Sequence, residues 1–225
     1  MRVTADKKHS LADRIAHASI IVAAAHLCLK FTGLIQARVA TQYLEPDVFV
    51  PVMTVAFTNV IIPLFLIGEE VIGPTFLPVF MREMDDEGET SAWSFANALM
   101  TLQFIILLVV VGLVICFPDA IIRTMTMGKW TSEASPTQYE LLRQSLIFLA
   151  PSLIFLSIGS TTYMLLNGYK KFFLAAFGDA STKICVTLAL LIGMGIFGMD
   201  YRAVVFGILI GSAAKLLTHL VGLLG

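Results

Sequence analysis

Four basic side chains occur inside strongly apolar segments of the chain: Lys30, Arg38, Lys183 and Lys215. A charge at the centre of a bilayer-crossing helix costs about 2.5 to 3.5 kcal/mol on insertion scales. Each of these cations therefore needs an ionic partner, a water-filled cavity or a function. Where such cations face one cavity, the chemistry available to them is the binding of an anionic group.

The first apolar segment places its polar and small residues on one helical face. At 100° per residue, an arc of about 80° holds His26, Lys30, Gly33, Ala37 and Thr41, with Arg38 at its edge. This stripe favours a face that lines a polar cavity. The alternative is that Lys30 and Arg38 extend to opposite membrane interfaces while the small residues pack against a neighbouring helix.

The role of each acidic site inside the apolar segments can be interpreted in two ways. Asp179 precedes Lys183 by four residues, the favourable order for an ion pair on one helix, and a proton or cation relay through Asp179 is the alternative. Glu69 and Glu70 follow Pro63, which should kink the second segment. This carboxylate pair is either a gate or a helix end near water.

The last apolar segment has a seam of small residues that includes a cation. The seam contains Gly207, Gly211, Lys215, Thr218 and Gly222 at helical spacing. The G-x-x-x-G pair predicts close helix contact, so we expect Lys215 to point towards protein or a cavity.

Motifs of enzyme chemistry lack the context that they need. Gly193–Gly198 fits G-x-G-x-x-G but closes an apolar segment, and we expect a turn there. Ser212–Lys215 fits S-x-x-K without its companion motifs, and Gly159–Thr162 has no base within sequence reach. The three cysteines and four histidines have no metal-ligand spacing. We therefore predict no catalytic site, no metal and no cofactor.

The amino-acid composition predicts the secondary structure that positions these residues. Of the 225 residues, 57% are apolar and only 14% charged, which excludes a soluble globular protein, and a net charge of -1 makes nucleic acid an unsuitable partner. A transmembrane helix needs about 20 apolar residues. The predicted fold is an all-α polytopic membrane bundle of about six transmembrane helices, with spans at Ala18–Leu44, Val48–Ile67, Trp93–Phe117, Leu141–Leu166, Phe172–Phe197 and Tyr201–Leu224.

The distribution of Lys and Arg predicts the orientation. Residues 1–17 form a polar leader, and residues 18–225 form the six-helix lobe. The side with the leader carries seven basic residues near the membrane, and the other side carries three. The N-terminus is therefore expected in the cytoplasm. The longest loop, Pro118–Glu140, would lie on the opposite side with one short surface helix.

Three sequence blocks carry a family resemblance. They are Val55-Ala-Phe57 with Gly68-Glu69 and Phe76-Leu-Pro-Val-Phe80; Leu141-Leu-Arg143 with Pro151, Gly159 and Leu166-Asn-Gly-Tyr-Lys-Lys-Phe172; and Ala203 to Lys215. In order and spacing they resemble the bacterial lipid II flippases of the MurJ (MviN) family, members of the MOP exporter superfamily. The resemblance implies an inner-membrane protein with two six-helix lobes around a cationic cavity, of which this chain covers the first. A second lobe or subunit would complete it.

The resemblance also implies a substrate and residue roles. Family members bind the diphosphate of a lipid-linked precursor with arginines in the first two spans. In this chain Lys30 occupies the first of the arginine positions in the first span. Gln36 occupies the second, and Arg38 lies two residues away. Leu64 and Phe65 stand where family members have an arginine pair in the second span. The implied substrate-binding residues are Lys30, Arg38 and Lys215, and the implied gate or pairing residues are Glu69, Glu70, Asp179 and Lys183.

The expected function is therefore a flippase of a lipid II-like precursor that works by alternating access, with membrane lipid around it. Two alternatives stay open. One is a cation-coupled exporter of drugs or lipid-linked oligosaccharide that uses Glu69, Glu70 or Asp179. The other is a non-transporting membrane partner subunit.

Overall fold

The computed structural model describes residues 20, 23–24 and 27–224, and all the regular secondary structure in these residues is helical. The predicted leader lies outside them. Helix α1 covers residues 27–43. The other elements are α2 (Pro46–Phe49), π1 (Val50–Ile61), α3 (Ile62–Asp86), α4 (Glu89–Cys116), α5 (Pro118–Met125), α6 (Pro136–Leu149), α7 (Ser152–Gly168), α8 (Phe172–Leu188), π2 (Ala189–Met194) and α9 (Arg202–Leu224). The all-α prediction is confirmed.

Several helices are long and apolar enough to cross a membrane. In the described residues there are four: Pro46–Asp86, Glu89–Cys116, Phe172–Met194 and Arg202–Leu224. The bent pair α6 and α7 makes a fifth if it is one span. The predicted first span begins outside the described residues. The described chain is thus a polytopic helix bundle.

The second span is longer than predicted. It was expected to end at Ile67, but its helix continues to Asp86 through Pro74 and Pro78. A proline removes one backbone hydrogen bond without ending a helix whose neighbouring turns are held by packing. Here Phe76 and Phe80 are fully buried in an aromatic cluster with α4. Glu69 and Glu70 therefore lie within α3 and not at a helix end.

The fourth span is broken near its middle. Helices α6 and α7 meet at Ala150–Pro151 with a bend of 46°. Pro151 has no N–H to continue the α6 hydrogen-bond ladder, and its ring crowds the preceding turn. The helix restarts in tight turns in which Leu153 and Ile154 donate to Ala150 and Pro151. Because of the bend, the two halves pack mainly against different elements: α6 packs against π1, and α7 packs against α3, α4 and α9.

The connections agree with the predictions made for them. The long loop holds the short helix α5, and the glycine motif after π2 is a turn in which Gly198 has a φ of 64°. The close contact predicted for the last span is also confirmed. A Cβ at Gly211 would lie 2.8 Å from the carbonyl oxygen of Thr182, and one at Gly207 would lie 2.6 Å from the Cβ of Ala189. Helix α9 therefore packs against α8 at backbone distance.

Candidate functional site

Helix α7 presents a run of small polar residues to the interior of the bundle. Ser157, Gly159, Ser160, Thr161 and Thr162 are all buried. In an apolar environment each hydroxyl needs a partner. Threonine and serine in a helix bond the carbonyl one turn earlier, as Thr162 does with Ile158. Ser160, Thr161 and Thr162 also have partners on other helices, whereas the hydroxyl of Ser157 has no hydrogen-bond partner in the described residues.

Helix α4 supplies one partner through Gln103, which is 7% exposed. Its amide nitrogen donates to the carbonyl oxygen of Ser157 at 3.0 Å. Its amide oxygen accepts from Thr161 Oγ1 at 2.9 Å. Both ends of the Gln103 side chain are therefore bound to α7.

Helix α3 supplies a carboxylate on a neighbouring part of α7. The hydroxyl of Ser160 donates to Glu69 Oε1 at 2.6 Å. Glu70 is exposed. The predicted carboxylate pair is thus divided, with one member bound inside the bundle and the other turned out.

Helix α9 contributes Lys215, which is 8% exposed. Its ammonium lies 2.6 Å from Asp179 Oδ1 on α8. The aliphatic part of the lysine packs on Gly159, where a Cβ would lie 3.4 Å from its Cε. The prediction that Asp179 pairs with Lys183 is wrong, because Asp179 forms its ion pair with Lys215 instead. The glycine seam of α9 lets this helix pack so closely against α8 that the Lys215 ammonium lies beside the carboxylate.

Histidine 219, one turn beyond Lys215, completes this group and is fully buried. Its Nδ1 lies 2.9 Å from the carbonyl oxygen of Gly159 and 3.1 Å from Thr162 Oγ1. Its Nε2 lies 3.2 Å from the carbonyl oxygen of Ala175 on α8. We call the connected set the polar layer: Glu69, Gln103, Ser160, Thr161, Thr162, Asp179, Lys215 and His219.

A second group of cations lies on α1 and α8. Lys183 donates to the carbonyl oxygen of Leu29 at 3.1 Å. Gly33 makes room for it, since a Cβ there would lie 3.0 Å from the lysine Nζ. Lys30 is exposed and directly follows Leu29 on α1, so the two lysines lie at the same part of this helix. We call Lys30 and Lys183 the lysine surface.

The structure therefore divides the predicted site. Lys30 and Arg38 are exposed on α1, and within the described residues neither forms an ion pair. Lys215 is joined to Asp179 in the polar layer instead. His26, the first residue of the predicted stripe, lies outside the described residues.

Sequence reasoning missed Gln103, Thr161, Thr162 and His219. It weighed charged residues inside apolar spans and dismissed the Gly159–Thr162 motif because no base was near in sequence. The sequence does place several serines and threonines close together in the fourth apolar span. Since uncharged polar groups in a membrane also need hydrogen-bond partners, this clustering could have indicated a polar contact between helices. No group of three or more His, Cys, Asp or Glu residues that could hold a metal occurs in the described part of the chain.

The bilayer-length helices, with a charged pair buried between two of them, define a polytopic all-α membrane protein. The family model of the lipid II flippase MurJ matches residues 41–224, most of the chain. The chain belongs to the MurJ lipid II flippase family. No curated protein and no solved structure matches it.

Membership gives a general function. Family members are flippases, which are transporters and not enzymes, and they act on a lipid-linked precursor of peptidoglycan in the inner membrane. The apolar helices agree with a multi-pass protein of that membrane.

Proposed function

We propose that this chain moves a lipid II-like precursor across the inner membrane by alternating access, with the lysine surface holding the diphosphate of the substrate. The family match supports the class of substrate. The position of Lys30 and Lys183 on neighbouring helices supports these two residues as the binding site for the diphosphate. The N-terminus would lie in the cytoplasm, as the distribution of Lys and Arg indicates.

The observation that carries the proposal is the arrangement of Lys30 and Lys183 beside one another. Two neighbouring ammonium groups repel each other. The carboxylate nearest to Lys183 along α8 is Asp179, and it is bound by Lys215. An anion between Lys30 and Lys183 would relieve this repulsion and accept charge-assisted hydrogen bonds from both. Lys183 is held by Leu29 and preorganised, whereas Lys30 is exposed and free to close on a ligand.

The other predicted residues take different roles in this proposal. Arg38 lies two turns beyond Lys30 on α1, about 12 Å along the axis, and would meet the substrate at another stage of its passage. Lys215 binds Asp179 and so holds α9 against α8, the helix that carries Lys183. Glu69 would act as a gate, because breaking its bond to Ser160 would let α3 separate from α7.

Alternating access needs two bodies that rock against each other around a central site. We therefore propose that this lobe works with a second lobe or subunit. Co-purification from membranes and native mass spectrometry would test this part. A lobe that carries the precursor with no second body present would contradict it.

The substrate proposal is tested by translocation of a fluorescent lipid-linked precursor in proteoliposomes that contain the chain with its second body. Lys30→Ala should lower the initial rate about tenfold, the equivalent of one charge-assisted hydrogen bond of about 1.4 kcal/mol. Lys30→Arg should retain most of the rate. Arg82→Ala is the matched control, because Arg82 is an exposed cation that bonds Asp86 on its own helix.

An equal effect of Lys30→Ala and Arg82→Ala would contradict the proposed site. A rate that is unchanged in Lys30→Ala but collapses in Glu69→Gln, and when the ion gradient is dissipated, would favour the cation-coupled exporter instead.

A further inference from the structure

The ring of His219 is enclosed by three helices. It projects from α9 between α7 and α8, and it is fully buried. Gly178 on α8 is the residue that makes the space, because a Cβ there would collide with the imidazole. The proposed transport mechanism makes no use of this histidine.

The partners of the ring are mainly acceptors. The carbonyl oxygen of Gly159 faces Nδ1, and that of Ala175 faces Nε2. A neutral imidazole has one N–H, so it can donate to only one of these carbonyls. The other carbonyl oxygen would then face a nitrogen lone pair. The hydroxyl of Thr162 can donate to Nδ1, but it does not remove the close approach of Gly159. An imidazolium donates at both nitrogens and satisfies both carbonyls.

The charges around the ring oppose one another. Burial and the ammonium of Lys215 on the same helix disfavour the imidazolium, whereas Asp179 on α8 and the two carbonyls favour it. On α7, the ring of Tyr163 lies 6.1 Å away between centroids and is uncharged. Within the described residues Lys171 binds the carbonyl oxygen of Gly222 near the end of α9, and Glu69 is bound by Ser160 of α7. Because Lys215 and Asp179 are paired with each other, the contacts at the two ring nitrogens decide which protonation state fits the site.

We propose that His219 is a proton-binding site that joins α9 to α7 and α8. With the proton bound, the ring bridges the carbonyls of Gly159 and Ala175. When the proton leaves, one of the two bridges is lost and α9 is held to only one neighbour by this side chain. The ligand is the proton itself, so the site exists whatever the substrate of the lobe is.

The test observes the ring directly. A variant with His9→Gln, His17→Gln and His26→Gln keeps His219 as its single histidine and leaves the site intact. Its ring nitrogens are labelled with ¹⁵N and followed by solid-state NMR in lipid bilayers between about pH 5 and pH 8, the range over which histidine changes charge. We expect two protonated ring nitrogens at the acid end, one near the carbonyl carbon of Gly159 and the other near that of Ala175. A single protonated nitrogen at every pH would overturn the proposal.

The neighbouring carboxylate provides a second test in the same labelled chain. Asp179→Asn removes a negative charge that favours the imidazolium, so the titration midpoint should fall by roughly one pH unit. Asp200→Asn is the matched control, because Asp200 is exposed in the loop before α9 and pairs with Arg202. A midpoint that moves equally in the two variants, or in neither, would contradict a proton held by His219 beside Asp179.

Discussion

The polar layer and the lysine surface both contain lysines from apolar segments, but in different environments. Lys215 of the polar layer is buried and ion-paired, whereas neither lysine of the lysine surface forms an ion pair within the described residues. In the polar layer Lys215 is 8% exposed and bound to Asp179, and Gln103 is bound at both ends. On the lysine surface Lys30 is exposed, and within the described part of the chain Lys183 binds only a backbone carbonyl. The first group is satisfied within the lobe. The second has donors left for a ligand.

This difference shows that charged residues in membrane helices can have two roles: some stabilise the fold, and others are available to bind a ligand. A buried pair stabilises the fold only while both partners are present, because each alone is an uncompensated charge. An exposed cation contributes little to stability, and its removal changes what the surface can bind. Substitutions in the two regions should therefore affect different measurements.

The largest effect is expected in the polar layer when one member of its ion pair is removed. Asp179→Ala leaves the Lys215 ammonium buried without its partner and should lower the free energy of unfolding by about 2 to 3 kcal/mol, less than for a fully buried pair because Asp179 is a third exposed. Denaturation in detergent micelles measures it. Adding Lys215→Met should restore most of the loss, and a double variant no more stable than Asp179→Ala would contradict this account.

A glycine substitution in the α8–α9 contact should have the next effect. Gly211→Ala places a methyl group 2.8 Å from the carbonyl oxygen of Thr182, and the backbone shift should cost about 1 to 3 kcal/mol. Gly112→Ala on α4 is the control, since a Cβ there meets nothing within 4 Å and should stabilise by about 0.5 to 1 kcal/mol. Thermal unfolding of the two variants should therefore shift in opposite directions.

Loss of the amide in the polar layer should have a smaller effect. Gln103→Leu removes both bonds to α7 and leaves the carbonyl oxygen of Ser157 without its side-chain donor. We expect a loss of about 1 to 2 kcal/mol in unfolding free energy. Gln144→Leu, a change on α6 outside the polar layer, is the comparison. Equal losses in the two variants would mean that the polar layer has no special role in stability.

The smallest effect on stability is expected on the lysine surface. Lys30→Ala should change the free energy of unfolding by no more than about 0.5 kcal/mol, because Lys30 is exposed and has no ion pair within the described chain. The same variant should lower the initial rate of precursor transport about tenfold. A destabilisation as large as that of Asp179→Ala would show that Lys30 is part of the packed lobe and would remove the contrast between the two regions.

Hydrophobic pattern alone was enough to predict most of the architecture. The apolar segments, the short helix in the long loop and the close approach at Gly207 and Gly211 follow from composition and spacing, because backbone groups in lipid must be satisfied within a helix and small residues admit a neighbour. The Pro151 bend and the continuation of α3 past Pro74 do not follow, because a proline ends, bends or leaves a helix unchanged according to what packs around it.

The sequence by itself determined that this is an all-α membrane protein with cations in its apolar segments. Only the tertiary structure decided which cation meets which partner. Asp179 is four residues from Lys183 on the same helix, yet it binds Lys215, 36 positions away, because the glycine seam brings α9 against α8. Distance along a chain limits only local pairs, and the long-range partners of buried charges depend on how closely the helices pack.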